Sequence, residues 1–97
     1  MYFDKTTCTQ NWEPAKAAAF PSVSAFGVAR LDVFVNDHGT VDRVQLVEGD
    51  AHSDLVKQLL AAAPKMKFTP ARCDGKIVAE LDHLSYRISP RPADVKT

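Results

Sequence analysis

The chain of 97 residues is 45% hydrophobic and 25% charged, and its 12 Lys and Arg residues balance 12 Asp and Glu residues. This length fits one domain with a thin core, and zero net charge argues against a nucleic-acid-binding surface, which needs clustered Lys and Arg. No stretch resembles a transmembrane helix or the apolar region of a signal peptide, so we expect no direct insertion into a membrane.

Residues 11–20, NWEPAKAAAF, have the pattern of a short helix. Asn11 can cap it, a proline is tolerated in its first turn, and alanines lose little entropy there. Pro21 ends the segment, because the residue before a proline avoids helical geometry. We interpret Trp12 and Phe20 as a satellite core under this N-terminal arm, with a peptide-binding groove as the alternative.

Residues 28–36 and 41–48 alternate apolar and polar side chains and are predicted to form a β-hairpin. The connecting residues 36–39 have strong turn chemistry, with Gly39 able to adopt a positive φ. Irregular apolar spacing in the second strand predicts a bulge or a strong twist. The hairpin residues expected to be buried are Leu31, Val33, Val35, Val44 and Leu46.

Residues 53–63 are predicted to form an amphipathic helix. Ser53 or Asp54 can cap its N-terminus, and Pro64 marks its end. Its apolar residues repeat at helical spacing and form one stripe, in which Leu59 and Leu60 are expected to be buried. The stripe consists of Leu55, Val56, Leu59, Leu60 and Ala63.

Residues 77–88 form a long run of strand formers after a turn at residues 74–75. Phe68, before the turn, is expected to fill the space between helix and sheet. The apolar pattern of the strand changes phase near His83, so the strand must twist, bulge or expose an apolar cluster. The polar, Pro-rich residues 91–97 are predicted to be a flexible tail.

Residues 1–90 are thus predicted to form one α+β domain of two layers, in the order α-β-β-α-β. An antiparallel three-stranded sheet would be packed by helices, with two open edges and one uncovered face. An apolar row beside an unpaired strand edge is a liability unless a partner covers it. The predicted partner-binding residues at this edge are Ile77, Ala79, Leu81, Asp82 and His83.

The sequence does not decide the redox state of its two cysteines, Cys8 and Cys73. They form no C-x-x-C pair and the three histidines are dispersed, so we expect no metal site and no cofactor. The thiols are either independent or joined in a disulfide, which requires an oxidising compartment. We take the disulfide forward as a hypothesis, because a small domain gains stability from such a crosslink.

The order of these motifs resembles the C-terminal domain of the TonB family. That family has a D-x-G-x-V hairpin turn, an amphipathic helix, an F/Y-x-P-A step and a D-G turn before its last strand. In this sequence the corresponding residues are 37–41, 55–63, 68–71 and 74–75. Gly27 stands where the family places the glycine that opens the first strand. The family's Tyr-Pro step has two counterparts here, at Pro14 and at Pro21, and the sequence does not decide between them.

The resemblance implies a periplasmic, non-enzymatic protein-binding domain. In the family this domain binds an extended segment of an outer-membrane transporter by strand addition beside the last strand and relays proton-motive force. The expected partner is therefore a protein or extended peptide of that kind. Independently of the resemblance, the alternative interpretation of the N-terminal arm as a peptide-binding groove gives a second, weaker candidate surface at Trp12, Phe20 and Pro21.

Two further expectations concern the class of protein. No cysteine, serine or histidine stands in the motif context of an activated nucleophile, so we expect no enzyme. The alternative to transporter binding is a self-associating periplasmic module whose strand edges pair in a homodimer, with no role in energy transduction.

Overall fold

The structure is a computed structural model that describes residues 1–89. The flexible tail predicted for residues 91–97 lies outside the described residues. The described chain is α+β, with mostly antiparallel strands and one short helix. In chain order the elements are β1 (Trp12–Glu13), β2 (Lys16–Ala17), β3 (Gly27–Val35), β4 (Val41–Glu48), α1 (Asp54–Ala62), a 3-10 turn (Ala63–Lys65), β5 (Phe68–Thr69), β6 (Ala71–Cys73), β7 (Lys76–Val78) and β8 (Glu80–Ile88).

The central sheet has the strand order β4-β3-β8, and both pairs of strands are antiparallel. β3 pairs with β8 without a register shift, whereas its pairing with β4 shifts at two places. The predicted hairpin and its irregularity are therefore confirmed. β3 is the central strand, and β4 and β8 are the two edges.

Helix α1 covers one face of this sheet. Ser53 caps the helix, since its hydroxyl oxygen accepts a hydrogen bond from the Val56 N–H at 3.2 Å. Phe68 is 8% exposed and lies in the core between helix and sheet, as predicted. The core residues are Ala29, Leu31, Val33, Val35, Leu55, Val56, Leu59, Ala63, Met66, Phe68 and Leu84.

Three residues predicted to be buried are more exposed than expected. Leu60 is 37% exposed, because it lies at the margin of the helix stripe rather than at its centre. Val44 and Leu46 pack against the core but are only half-buried. Both belong to β4, an edge strand that has a neighbouring strand on one side only.

The opposite face of the sheet, called the open face below, carries an aromatic cluster. The Tyr2 and Phe34 rings meet edge to face with centroids 5.0 Å apart. The Arg43 guanidinium lies 4.3 Å from the centroid of the Phe34 ring. Within residues 1–89 no helix covers this face, which is polar apart from this cluster and scattered apolar residues.

No helix forms in residues 11–20, so this prediction is wrong. Instead β1 pairs with β6, where Trp12 lies opposite Cys73, and β2 pairs with β5. Asn11 has φ 51° rather than a capping geometry, and its side-chain amide donates to Asp74 Oδ1 at 3.0 Å. A helix this short is marginal in isolation, so pairing with another part of the chain outweighs its intrinsic preference.

The predicted strand over residues 77–88 is divided at Ala79. β7 pairs with β6 and β8 pairs with β3, so the two pieces belong to different sheets. Leu81, just after the break, lies opposite Phe34 and shares the open face with it. The phase change that the sequence placed near His83 thus arises from the break and from one leucine on the open face.

A disulfide joins Cys8 and Cys73, whose Cα atoms are 5.8 Å apart, and the predicted crosslink is confirmed. It connects residues 65 positions apart, and loop-closure entropy assigns such a crosslink about 4 kcal/mol of stabilisation. Disulfides persist in oxidising compartments, so the bond fits an extracytoplasmic location.

In the described part of the chain, no helix is long and apolar enough to cross a membrane.

Candidate functional site

The outer side of β8 is the strand edge that the sequence analysis predicts to bind a partner. Its first part is already occupied by the N-terminal segment, which runs parallel to it at Phe3. The Phe3 N–H donates to the Ala79 carbonyl oxygen at 2.8 Å, and the Phe3 carbonyl oxygen accepts from the Leu81 N–H at 3.0 Å. The chain therefore adds a short strand to its own edge at this point.

Beyond Leu81 the backbone groups of β8 alternate between β3 and the outside. The backbone N–H of Leu81 points outward. The backbone N–H and C=O groups of His83, Ser85 and Arg87 therefore also point outward, whereas those of Asp82 point toward β3. The outward N–H of His83 is covered, since it donates to Asp82 Oδ1 at 2.9 Å. Ser85 and Arg87 have no outward backbone partner within residues 1–89. We call residues 83–87 the open edge.

The other edge of the sheet, along β4, is less regular. Its pairing with β3 contains two register shifts, and bulges of this kind blunt an edge against strand addition. Its start is also covered, because Thr40 forms an antiparallel bridge with Lys67. The open edge of β8 is therefore the more regular template for pairing.

The structure separates the five residues predicted to form the binding edge. Ile77 is 49% exposed and lies on β7, which belongs to a different sheet from β8. Ala79 and Leu81 use their outward groups to pair with the N-terminal segment. Asp82 directs its backbone into the sheet, and of the five only His83 borders the open edge.

Ser85 and Arg87 complete the open edge but were not named from the sequence. The sequence prediction combined three apolar positions with two polar positions near the phase change, whereas free backbone groups can stand beside any side chain. Which groups face outward depends on the pairing partner of β8, and no local sequence signal encodes that. Both side chains are exposed on the open face.

On the open face His83 is engaged with its strand partner. Its Nδ1 lies 2.8 Å from Asp32 Oδ1, and the two residues are directly opposite each other on β8 and β3. This contact orients the imidazole over the sheet. The His83 ring therefore forms one end of the surface beside the open edge.

The core-facing side of β8 holds a buried carboxyl group. Glu80 is 5% exposed, and its Oε1 accepts a hydrogen bond from the Ala15 N–H of the N-terminal arm. Burial raises the pKa of Glu80 to about 7, against the smaller opposing effect of that hydrogen bond. Burial also raises the pKa of Asp82. The arm is thus fixed to β8 through a group that titrates near neutral pH.

The three residues of the predicted arm surface do not form one site. Trp12 is half-buried on β1, whereas Phe20 is 69% exposed, so the satellite-core interpretation is wrong for Phe20. The Pro21 carbonyl oxygen accepts a hydrogen bond from the Tyr86 hydroxyl at 2.6 Å. Phe20 and Pro21 border one shallow concavity and Trp12 borders another.

Two chemical features bear on other kinds of site. Both sulfur atoms are held in the disulfide, so neither cysteine offers a thiolate in this state. Within residues 1–89, no group of three or more His, Cys, Asp or Glu side chains is arranged to hold a metal ion. The sequence-based expectation of a non-enzymatic protein stays a prediction.

Comparisons with protein-family models, with curated proteins and with solved structures find no match to this chain. What the molecule itself defines is a small, disulfide-linked α+β domain with one regular, partly open strand edge.

Proposed function

We propose that this chain is a non-enzymatic protein-binding domain, similar to the C-terminal domain of the TonB family. It holds an extended partner segment along the open edge of β8. The observation that carries the proposal is the outward backbone of Ser85 and Arg87, which has no partner within residues 1–89. These groups continue a strand of nine residues without a register shift, and such an edge is a template for strand addition.

The contact at Phe3 supports this mode of binding, because it is itself a short strand added to the same edge. After Phe3 the chain turns away, and the Thr7 N–H donates to the Asp4 carbonyl oxygen at 3.1 Å. The open edge therefore begins where the N-terminal segment leaves. At the rise of a β-strand, a partner segment of about five residues spans it.

The resemblance to the TonB family is the basis for the partner and the compartment that we propose. The partner is an extended segment of an outer-membrane transporter, and the compartment is the periplasm. The disulfide supports the second proposal, because the periplasm is oxidising.

Replacing Ser85 with proline tests the proposal directly. Ser85 is exposed and directs its N–H outward, so Ser85→Pro removes an outward donor without removing a hydrogen bond to β3. Ser85→Ala is the matched control, because it changes the side chain and keeps the N–H. The probe is a six-residue peptide of alternating Thr and Val with blocked termini, because both residues favour an extended strand, and binding is measured by isothermal titration calorimetry.

We expect Ser85→Pro to stay folded by circular dichroism and to lose affinity by at least about tenfold. Ser85→Ala should bind like the wild type. Equal affinity of the proline variant and the wild type would refute binding at this edge. A dimer in sedimentation of the protein alone, lost in Ser85→Pro, would instead favour self-association through the same edge.

A further inference from the structure

We propose that the concavity beside Phe20 binds the C-terminal residue of a partner protein, one with an apolar side chain and a free carboxylate. The concavity, called the arm pocket below, lies between residues 18–21 of the N-terminal arm and residues 62–67 at the end of α1. It shares no residue with the open edge of β8. The proposal therefore goes beyond the proposed function and does not depend on it.

Two hydrogen bonds hold the arm on either side of Phe20. The Ala18 N–H donates to the Lys67 carbonyl oxygen at 2.8 Å, and the Pro21 carbonyl oxygen accepts from the Tyr86 hydroxyl at 2.6 Å. Between these two anchors the side chain of Phe20 is 69% exposed. A large apolar side chain that borders an apolar concavity, rather than standing alone on the surface, marks a candidate binding surface.

The arm pocket is apolar inside and cationic at its rim. It is shallow, with a volume of about 280 Å³. Its only charged lining residues are Lys65 and Lys67, and both are exposed. Within residues 1–89 neither lysine forms an ion pair. The apolar lining consists of Ala18, Ala19, Phe20, Pro21, Ala62 and Met66.

These features fit a ligand that carries an apolar group and a negative charge close together. The apolar group would be buried against Phe20 and Met66, and the charge would meet the two ammonium groups at the rim. The C-terminal residue of a protein has both groups on one Cα atom. A long acyl chain would extend out of so shallow a pocket, and an internal Asp or Glu carries its carboxylate on the side chain that would have to enter it.

Four small probes test this chemistry with the full chain. The first is the peptide acetyl-Ser-Gly-Ser-Phe with a free C-terminal carboxylate, and the second is the same peptide with a C-terminal amide. The third replaces Phe with Ala and keeps the free carboxylate. The fourth is sodium octanoate, an apolar carboxylate that is not a peptide. Binding is followed through the backbone amide resonances of Phe20, Lys65 and Lys67 in ¹⁵N-labelled protein.

We expect the Phe peptide with a free carboxylate to bind at least about fivefold more tightly than its amide, because two lysines attract the carboxylate. It should bind about tenfold more tightly than the Ala peptide, because Phe buries more apolar surface. In the double variant Lys65→Ala, Lys67→Ala the acid and the amide should bind alike. Lys57→Ala, at an exposed position of α1 outside the pocket, should keep the preference for the acid.

A second pair of variants tests the role of the exposed ring. Phe20→Ser should weaken binding of the Phe peptide by at least about fivefold, because it removes apolar surface from the pocket. Phe26→Ser is the matched control, since Phe26 is 59% exposed and does not line the pocket. Equal weakening by both variants would contradict binding at the arm pocket.

The remaining outcomes each overturn a different part of the proposal. Equal affinity of the acid and the amide for the wild type would show that the carboxylate is not recognised. Octanoate binding as tightly as the Phe peptide would show that the pocket takes apolar carboxylates in general rather than a C-terminal residue. If no probe shifts the three amides at millimolar concentration, the arm pocket is not a site, and the proposed function at β8 is unaffected.

Discussion

The N–H of Phe68 donates a hydrogen bond to the carbonyl oxygen of Gly39 at 2.8 Å. Gly39 has φ +82°, and a Cβ atom at this position would overlap the carbonyl oxygen of Phe68. The hairpin turn and the F-x-P-A step are distant in sequence but meet backbone to backbone. Two motifs that carry the resemblance to the TonB family therefore depend on each other physically.

Gly39→Ala should be much more destabilising than Gly75→Ala. Gly75 has nearly the same φ, +81°, but nothing lies within 4 Å of the Cβ that alanine would add. Gly75→Ala thus has only the left-handed backbone cost of about 1–2 kcal/mol. Gly39→Ala adds an overlap with rigid backbone, which we expect to cost at least about 2 kcal/mol more. Urea unfolding measures both, and equal losses would show that the contact with Phe68 is unimportant.

Phe68→Ala should lower the free energy of unfolding by about 3–5 kcal/mol, because it removes a large side chain from the core. Phe26→Ala is the matched control, since Phe26 is 59% exposed. We expect the control to change stability by less than about 0.5 kcal/mol. Chemical denaturation of both variants is the measurement, and a Phe68→Ala protein as stable as the control would contradict the assigned core.

The double variant Cys8→Ala, Cys73→Ala should be less stable than the oxidised wild type by about 4 kcal/mol, because its unfolded chain is no longer crosslinked. The wild type, purified and denatured without reductant, should show no free thiol on titration. Two titratable thiols per chain would contradict the disulfide, whatever the stability of the variant.

Stability should depend on pH through Glu80. Its pKa in the folded protein is about 7, above the ordinary value of 4.5, so the folded state binds a proton that the unfolded state releases. The stabilisation that results from this proton is fully present below pH 4.5, falls as pH rises to about 7, and is absent above that. Glu80→Gln keeps an acceptor for the Ala15 N–H and has no charge to bury.

We therefore expect Glu80→Gln to match the wild type near pH 4 and to exceed it near pH 8, by on the order of 3 kcal/mol. Glu48→Gln, an exposed change on β4, controls for loss of a carboxylate elsewhere. The measurement is urea unfolding from pH 4 to pH 8. A constant difference between Glu80→Gln and the wild type over that range would show that Glu80 does not titrate as assigned.

The local patterns predicted the parts of the fold that depend on periodicity and turn chemistry. The hairpin, the helix after Ser53 and the buried Phe68 follow from such signals, whereas the sequence left the disulfide open and the fold brings Cys8 and Cys73 together. The helix in residues 11–20 does not form, because the N-terminal arm pairs with strands more than 50 residues away, and local propensity contains no information about that pairing.

The sequence predicted which strand carries the candidate site, but not which residues of that strand form it. Asp82 looked edge-facing from its polar side chain, yet its N–H points toward β3, so Asp82→Pro would disrupt the sheet itself. The backbone groups without a partner belong to Ser85 and Arg87. That they point outward follows from the hydrogen bond between Phe3 and Leu81. A contact so distant in sequence cannot be inferred from the pattern of β8 alone.

Amide hydrogen exchange at Ser85 and Arg87, with and without the blocked peptide of alternating Thr and Val, tests the central claim most directly. Strand addition places the outward N–H groups of both residues in hydrogen bonds, so their exchange should slow by at least about tenfold at saturating peptide. Val44, whose N–H points outward on the opposite edge, is the internal reference and should not change. Slowed exchange at Val44 with none at Ser85 and Arg87 would contradict the claim that the partner binds along β8.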